Sequence, residues 1–273
     1  MPGNRNNKIV TSGKLLYMKC MFSLLLFSIA FTSAGQLQPV GSAVFHWNEL
    51  PVIKKDQRES RKITEGTTFE FAYFEIHATT QEKGAKPKPA HTQANTEELI
   101  IIKEGTLKCT IGSKTAILGP GSVLLVPPGE MQSFENAGDD PVTYYVLMFR
   151  SKKPMDMERS TKAGGALLLH ADSLAYTEKD GRGTKKYFDR PTAMCERYEM
   201  HTTTLTKKGA SHAPHSHVDT EIILMIEGET EMTIEGRTYQ AGPGDLYIIE
   251  SGQFHGIANA SDKPCRYFAF KWR

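Results

Sequence analysis

Cysteine is scarce in this sequence: Cys20, Cys109, Cys195 and Cys265 are the only four. Cys20 falls in an N-terminal leader, so an odd three remain. That number excludes a disulfide framework and leaves room for one bridge at most, between Cys195 and Cys265. Net charge is also scarce, formally +2. Arg5, Lys8, Lys14 and Lys19 account for that surplus, because residues 1–35 contain no acid. The other 29 basic and 31 acidic residues leave −2. No basic patch remains for a nucleic-acid partner. Long apolar runs are lacking too, except CMFSLLLFSIAF over 20–31. Twelve residues fall short of the roughly 20 that a membrane-spanning helix needs.

What is there begins with that short run. It follows a basic start and precedes TSAG at 32–35, the order of a secretory signal peptide. We expect a signal over 1–34, an exported periplasmic or secreted mature chain, and no membrane association after cleavage. An uncleaved anchor is the alternative. Cys20 opens the apolar run rather than following it, which argues against a lipoprotein.

The rest of the chain is one unit written twice. FHWNELPVIKKDQRESRK (45–62) lies on LHADSLAYTEKDGRGTKK (169–186) at an offset of 124, as does FEIHATT (74–80) on YEMHTTT (198–204). The offset then becomes 123. EGTLKCTIGSKTAILGPG (104–121) lies on EGETEMTIEGRTYQAGPG (227–244), and PVTYYVLMFR (141–150) on PCRYFAFKWR (264–273). Such a repeat is the primary clue to architecture. It sets an N-terminal unit over 41–150, a polar linker over 151–164 and a C-terminal unit over 165–273. Each unit is a chain of short aliphatic runs closed by EG, GPG or PPG about every ten residues, the pattern of an all-β sandwich or barrel. Helix signals are weak, apart from turns near 47–50 and 171–174.

Chemistry concentrates in GASHAPHSHVDTE, residues 209–221. His215 and His217, two apart on one face if extended, precede Glu221 at the start of EIILMIEG. His255 follows a Gly-Gln turn much later. Three imidazoles and a carboxylate without thiolate make the ligand inventory of a mononuclear site for one divalent transition metal: Fe, Mn, Ni or Zn. Gly209, His215, His217, Glu221 and Gly228 resemble the first signature motif of the cupin superfamily. Gly244, Glu250, Gly252, His255 and Asn259 resemble the second, with Glu250 where the family usually has proline. The resemblance covers both halves and implies two tandem cupin-type jelly-roll β-barrels related by internal duplication, a bicupin. It also implies that His215, His217, Glu221 and His255 are the metal ligands.

The first half departs from that pattern. Its motifs run Gly84, His91, Gln93, Glu98, Gly105 and Gly121, Pro127, Gly129, Gln132, Asn136. Gln93 and Gln132 replace two imidazoles, so this half is expected to keep the scaffold without the metal. His212 has no place in the motif and is read as a surface loop residue. The Glu75/His77 and Glu199/His201 pairs occur in both halves and are read as structural. The repeated KDxR at 55–58 and 179–182 is read as a salt-bridged lead-in or a contact between barrels. Ile223, Met225 and, if the turn permits, Gln253 are expected on the face that carries the site.

A cupin fold names no reaction. Three histidines and a glutamate leave up to two coordination positions for water, substrate or oxygen. The expected function is an exported metal-dependent enzyme acting at the C-terminal barrel on a small oxygen-rich molecule such as a sugar acid. The favoured reactions are dioxygenation, isomerisation or ring opening; no catalytic residue beyond the ligands is assigned. One alternative is a non-catalytic barrel that binds a carbohydrate or small acid. Another is a hydrolase resembling ureidoglycine aminohydrolase, also a bicupin with its metal in the C-terminal half but with a different ligand set. The partner is a small molecule, with a homodimer possible.

Overall fold

The computed structural model describes residues 36–273; the signal expected over 1–34 lies outside them. Burial explains the aliphatic runs. Glu97–Glu104 is buried along six consecutive residues, because both faces of its strand are covered. In Thr220–Glu227, Ile222 and Leu224 join one core while Ile223 and Met225 join another. The two-residue period of a strand produces that division.

The described residues form two large and two small antiparallel sheets. One seven-stranded sheet runs Leu167–Leu169, Val123–Val126, Glu97–Glu104, Val142–Ser151, Phe71–Gln81, Arg58–Gly66, Val52–Lys55. A three-stranded sheet built on Leu107–Ile111 faces it, and the aliphatic core of the first barrel lies between them. The second seven-stranded sheet runs Ala43–Phe45, Leu246–Ile249, Thr220–Glu227, Cys265–Trp272, Tyr198–Leu205, Arg182–Arg190, Tyr176–Lys179. A four-stranded sheet built on Thr230–Ile234 and His255–Asn259 completes the second barrel around its own core. The outer faces of the two large sheets pack together. Phe71, Phe149 and Trp272 stack there, with centroids 4.9 and 5.2 Å from Phe71. The fold is all-β, two tandem jelly-roll barrels, as the repeat and the cupin resemblance together implied.

The first strand of each half crosses over. Ala43–Phe45 pairs with Leu246–Ile249 of the second barrel, and Leu167–Leu169 pairs with Val123–Val126 of the first. The sequence repeat and the sheets therefore have different boundaries at this strand. Each crossing is pinned by a polar side chain of the receiving barrel. The Trp47 N–H donates to Asp245 Oδ1 at 2.8 Å, and the Ala171 N–H donates to Ser122 Oγ at 3.2 Å. Buried Glu97 also ties the halves, accepting from the Thr192 hydroxyl at 2.7 Å and the Met194 N–H at 3.0 Å.

Four details correct the sequence reading or, for the cysteines, decide what it left open. The KDxR repeats are two-residue hairpin turns, since Lys55 pairs with Arg58 and Lys179 with Arg182. Asp56 and Gln57 have φ of 50° and 57°, and Asp180 and Gly181 56° and 86°. Positive φ at both central residues is the requirement of a type I′ turn. Cys109, Cys195 and Cys265 are buried and free, with Cys195 between the barrels and Cys265 inside the second, so no bridge forms. The linker contains a helix, Met157–Lys162, capped by the Asp156 carboxylate, which accepts from the Arg159 N–H. The turns near 47–50 and 171–174 are 3-10 helices, Trp47–Glu49 and Ala171–Ser173, as expected. The fourth correction, to Gln253, belongs to the site.

Candidate metal centre

His215 and His217 lie on the loop that enters Thr220–Glu227, not on a strand, whereas His255 opens the strand His255–Asn259. Backbone bonds hold this loop against the one leading into His255–Asn259. His215 and His255 exchange N–H···O bonds of 2.9 Å, and the Gly252 N–H donates to the His217 carbonyl at 2.8 Å. Strand parity turns Glu221 to the barrel face that carries Ile223 and Met225, as the sequence implied. The ligating atoms of His215, His217 and His255 lie within 4.8 Å of one another, the one such group among the described residues. Glu221 Oε2 is 3.1 Å from Nε2 of both His217 and His255. All four expected residues are thus brought together. Exposed His212 stacks edge-on against His215, with centroids 4.7 Å apart, and stays outside the group. Gln253 turns away and accepts from the Ser42 hydroxyl; Glu250, at the family's proline position, accepts from the Ser42 N–H at 3.3 Å.

The bonds around the rings test whether these residues suit a cation. His217 Nδ1 faces the Asp219 carbonyl and His255 Nδ1 the Gln253 carbonyl, both at 2.9 Å. A carbonyl only accepts, so each Nδ1 carries the proton, and a neutral ring then points its Nε2 lone pair at the Glu221 carboxylate. Two lone pairs aimed at an anion repel unless protons or a metal cation stand between them. His215 Nδ1 is buried without a partner. Carbonyls that fix the tautomer are the usual outer support of metal-binding histidine. The donor set fits one divalent metal.

Without a metal, protons on the imidazoles take its place. Burial works to raise the Glu221 pKa, but the bonds from His217 and His255 outweigh it and hold the carboxyl well below its usual range. His255 is opposed by burial and still raised by its bond to Glu221. His215 is lowered by burial and by the neighbouring imidazoles His255, His212 and His217.

A cation that sequence reading missed stands beside this group. Lys271 is the register partner of Glu221 on one side and Glu199 on the other. Its Nζ is 3.9 Å from Glu199 Oε2. Glu199 is held below the usual carboxylate pKa, first by its bond to His201. It also accepts from Arg197, whose guanidinium makes a two-pronged pair with Asp189 at 2.8 Å. Glu75 and His77 form the matching pair in the first barrel, 2.9 Å apart against 3.4 Å for Glu199 and His201. The pairing belongs to both barrels, but Met148 occupies the place of Lys271 in the first.

The first barrel keeps the scaffold and changes the donors. His91 and Gln132 exchange backbone bonds of 3.0 and 2.8 Å, and the Gly129 N–H donates to the Gln93 carbonyl at 2.8 Å. Where His255 faces Glu221, the Gln132 amide donates to Glu98 Oε2 at 2.7 Å. An amide supplies its own proton, so no cation is called for. Burial pushes the Glu98 pKa up despite that bond. A cavity of about 150 Å³ adjoins it, lined by His77, Gln81, His91 and Tyr144 among others.

The family model for the cupin domain matches twice, over residues 78–148 and 202–271, together more than half of the chain. The chain belongs to the cupin superfamily. It is a bicupin, with one copy of the domain in each half. Among solved structures, protein Ylba from E. coli superposes with a TM-score of 0.66 at 15% identity, covering 88% of this chain and 95% of that one. A putative glyoxylate-induced protein from Pseudomonas aeruginosa gives 0.65 at 14%, covering 88% and 92%. The oxalate decarboxylase of Bacillus subtilis gives 0.65 at 12%, covering 85% and 78%. A further structure of that decarboxylase, with a TM-score of 0.63 at 12% identity and the same coverage, is described through its Mn(II) centres. Comparison with curated proteins by sequence finds no match.

Proposed function

We propose that the C-terminal barrel holds one divalent transition metal on His215, His217, Glu221 and His255, and that this bicupin is a metal-dependent enzyme acting on a small carboxylic acid. The observation that carries the reading is Lys271, a cation between Glu199 and Glu221 on the face that bears the ligands. Oxalate decarboxylase and a glyoxylate-induced protein among the fold neighbours support a small acid as substrate and, through the Mn(II) centres of the former, a metal. Export of the mature chain, argued from residues 1–34, belongs to the same proposal.

Each residue has a definable task. The three imidazoles supply neutral nitrogen donors, with two tautomers fixed by the Asp219 and Gln253 carbonyls. Glu221 adds one negative charge from a side chain only 12% exposed. Lys271 binds the substrate carboxylate, and Glu199, fixed by Arg197 and His201, sets the position of its ammonium. The apolar wall of Ile223, Met225 and Ile257 keeps bulk water from the barrel side. When bound, the metal supplies Lewis-acid polarisation of a substrate oxygen or, if redox-active, a site for oxygen chemistry. The substrate that suits this set carries a hydroxyl or carbonyl next to its carboxylate, giving oxygens to the metal side and charge to Lys271. Within that class we favour dioxygenation, isomerisation or ring opening.

The test is turnover. Protein purified without air, with its metal identified, is assayed on oxalate, glyoxylate and a panel of 2-hydroxy, 2-oxo and sugar acids. The reading expects activity on at least one acid in wild type and none in a folded His255→Ala variant. Equal activity in that variant, or saturable acid binding without turnover of any panel member, contradicts it.

A further inference from the structure

The duplication makes each half a control for the other, and at one place between the barrels the two differ by an entire side chain. Trp47 and Ala171 are counterparts, each in the 3-10 turn that follows the crossing strand. The Trp47 indole lies on Gly244, where an added Cβ would come within 3.0 Å of the ring. It packs edge-on against Tyr145 at 5.5 Å, and the Arg61 guanidinium covers its face at 4.7 Å. Each of these neighbours has a counterpart across the pseudo-twofold. Gly121 stands for Gly244, Phe268 for Tyr145 and Lys185 for Arg61. The ring itself does not: Ala171 presents only a methyl, 3.4 Å from a Cβ built on Gly121.

Beside Ala171 lies a cleft of about 250 Å³, lined by Gly121, Ala171, Lys185, Tyr187 and Phe268 and reaching Tyr145 and Gly244. Its walls are aromatic and aliphatic. Tyr187 packs edge-on against Phe268 at 5.3 Å, and the Tyr187 hydroxyl is already used on the Gly121 carbonyl at 2.6 Å. Its charged lining groups are Lys103, Lys185 and Arg266 against Asp172. Lys103 and Arg266 are paired with Glu104 and Glu227. Lys185 donates to the Ala171 carbonyl at 3.0 Å, and among the described residues no carboxylate is bonded to it. An ammonium has three donors. A cation therefore stands at the place of Arg61, beside a cleft that the Tyr187 ring lines but does not close.

We infer that this cleft is a binding site for a planar aromatic acid, its ring lying beside Ala171 against Tyr187 and Phe268 and its carboxylate meeting Lys185. The site is distinct from the histidine cluster. Cation–aromatic contact and charge pairing both favour such an occupant.

Titration calorimetry on the full chain tests the assignment, with indole-3-acetate as the probe and uncharged indole beside it. Saturable binding of indole-3-acetate, one per chain and below about 1 mM, is expected. Ala171→Trp restores the missing ring and is expected to weaken that binding at least tenfold, with metal content and circular dichroism unchanged. Lys185→Met, which removes charge without adding bulk, is expected to weaken indole-3-acetate several-fold and indole by less than twofold. This variant decides the matter if Ala171→Trp fails to fold. Three results each overturn the inference: no saturable binding of either probe, undiminished binding in a folded Ala171→Trp variant, or equal loss of both probes in Lys185→Met.

Discussion

His255 Nε2 lies 3.1 Å from Glu221 Oε2, while His255 Nδ1 is bonded to the Gln253 carbonyl. With the ring proton committed to the carbonyl, only a second proton or a metal makes the contact with Glu221 attractive. His217 repeats the arrangement. Metal removal should therefore cost stability, because the ligands repel without it. At a free metal concentration 1,000 times Kd the bound ion contributes about 4 kcal/mol. Calorimetric melting with and without a chelator at pH 7.5 checks this. The chelated protein should melt several degrees lower and recover when the metal is returned.

Glu97 gives a pH signature remote from that centre. It is fully buried, and burial pushes its pKa up to about 7 despite bonds from Thr192 and Met194. The folded pKa is above the unfolded one, so the stability this carboxyl contributes is complete below about pH 4.3 and lost as pH rises through 7. The span corresponds to about 4 kcal/mol at 1.36 kcal/mol per unit. Glu97→Gln, which stays neutral, should gain about that much relative to wild type between pH 4.5 and 8. Denaturant melts across this range measure the difference; a gap that does not change with pH contradicts the assignment.

Much of this architecture was legible in the chain. The duplication and the buried runs such as LIII at 99–102 follow from spacing and composition, and the four converging residues follow from the resemblance to the cupin motifs. The strand exchange did not, because a three-residue segment such as Ala43–Phe45 has the same pattern whichever barrel receives it. The KDxR turns were missed because Asp56-Gln57 lacks the glycine that marks a type I′ hairpin, although Asp180-Gly181 carries it. The linker helix had visible signals in Asp156 as its cap and the Glu158–Lys162 pair one turn apart. Lys271 had none, since its place depends on the register of three strands.

Lys271→Met copies the residue that the first barrel has at this place, Met148. If Lys271 holds a substrate carboxylate, the variant should lose about tenfold or more in kcat/KM, chiefly through KM, while its metal content stays at the wild-type level. An unchanged KM for an anionic substrate contradicts that role. So does a loss confined to metal content.

The first barrel offers the converse experiment. Its backbone matches that of the second at His91, Gln93, Gly129 and Gln132. The double variant Gln93→His, Gln132→His should accordingly bind a second ion beside Glu98. Elemental analysis showing no gain would mean that the first barrel lacks the geometry as well as the donors.

The most direct test is the metal content of the wild-type chain against His217→Gln, the change that copies Gln93. Both proteins are purified identically, checked for fold by circular dichroism and measured by elemental analysis. The account predicts one tightly held divalent transition metal per wild-type chain and none in the variant. Two ions in wild type, or an ion retained by the folded variant, would contradict it.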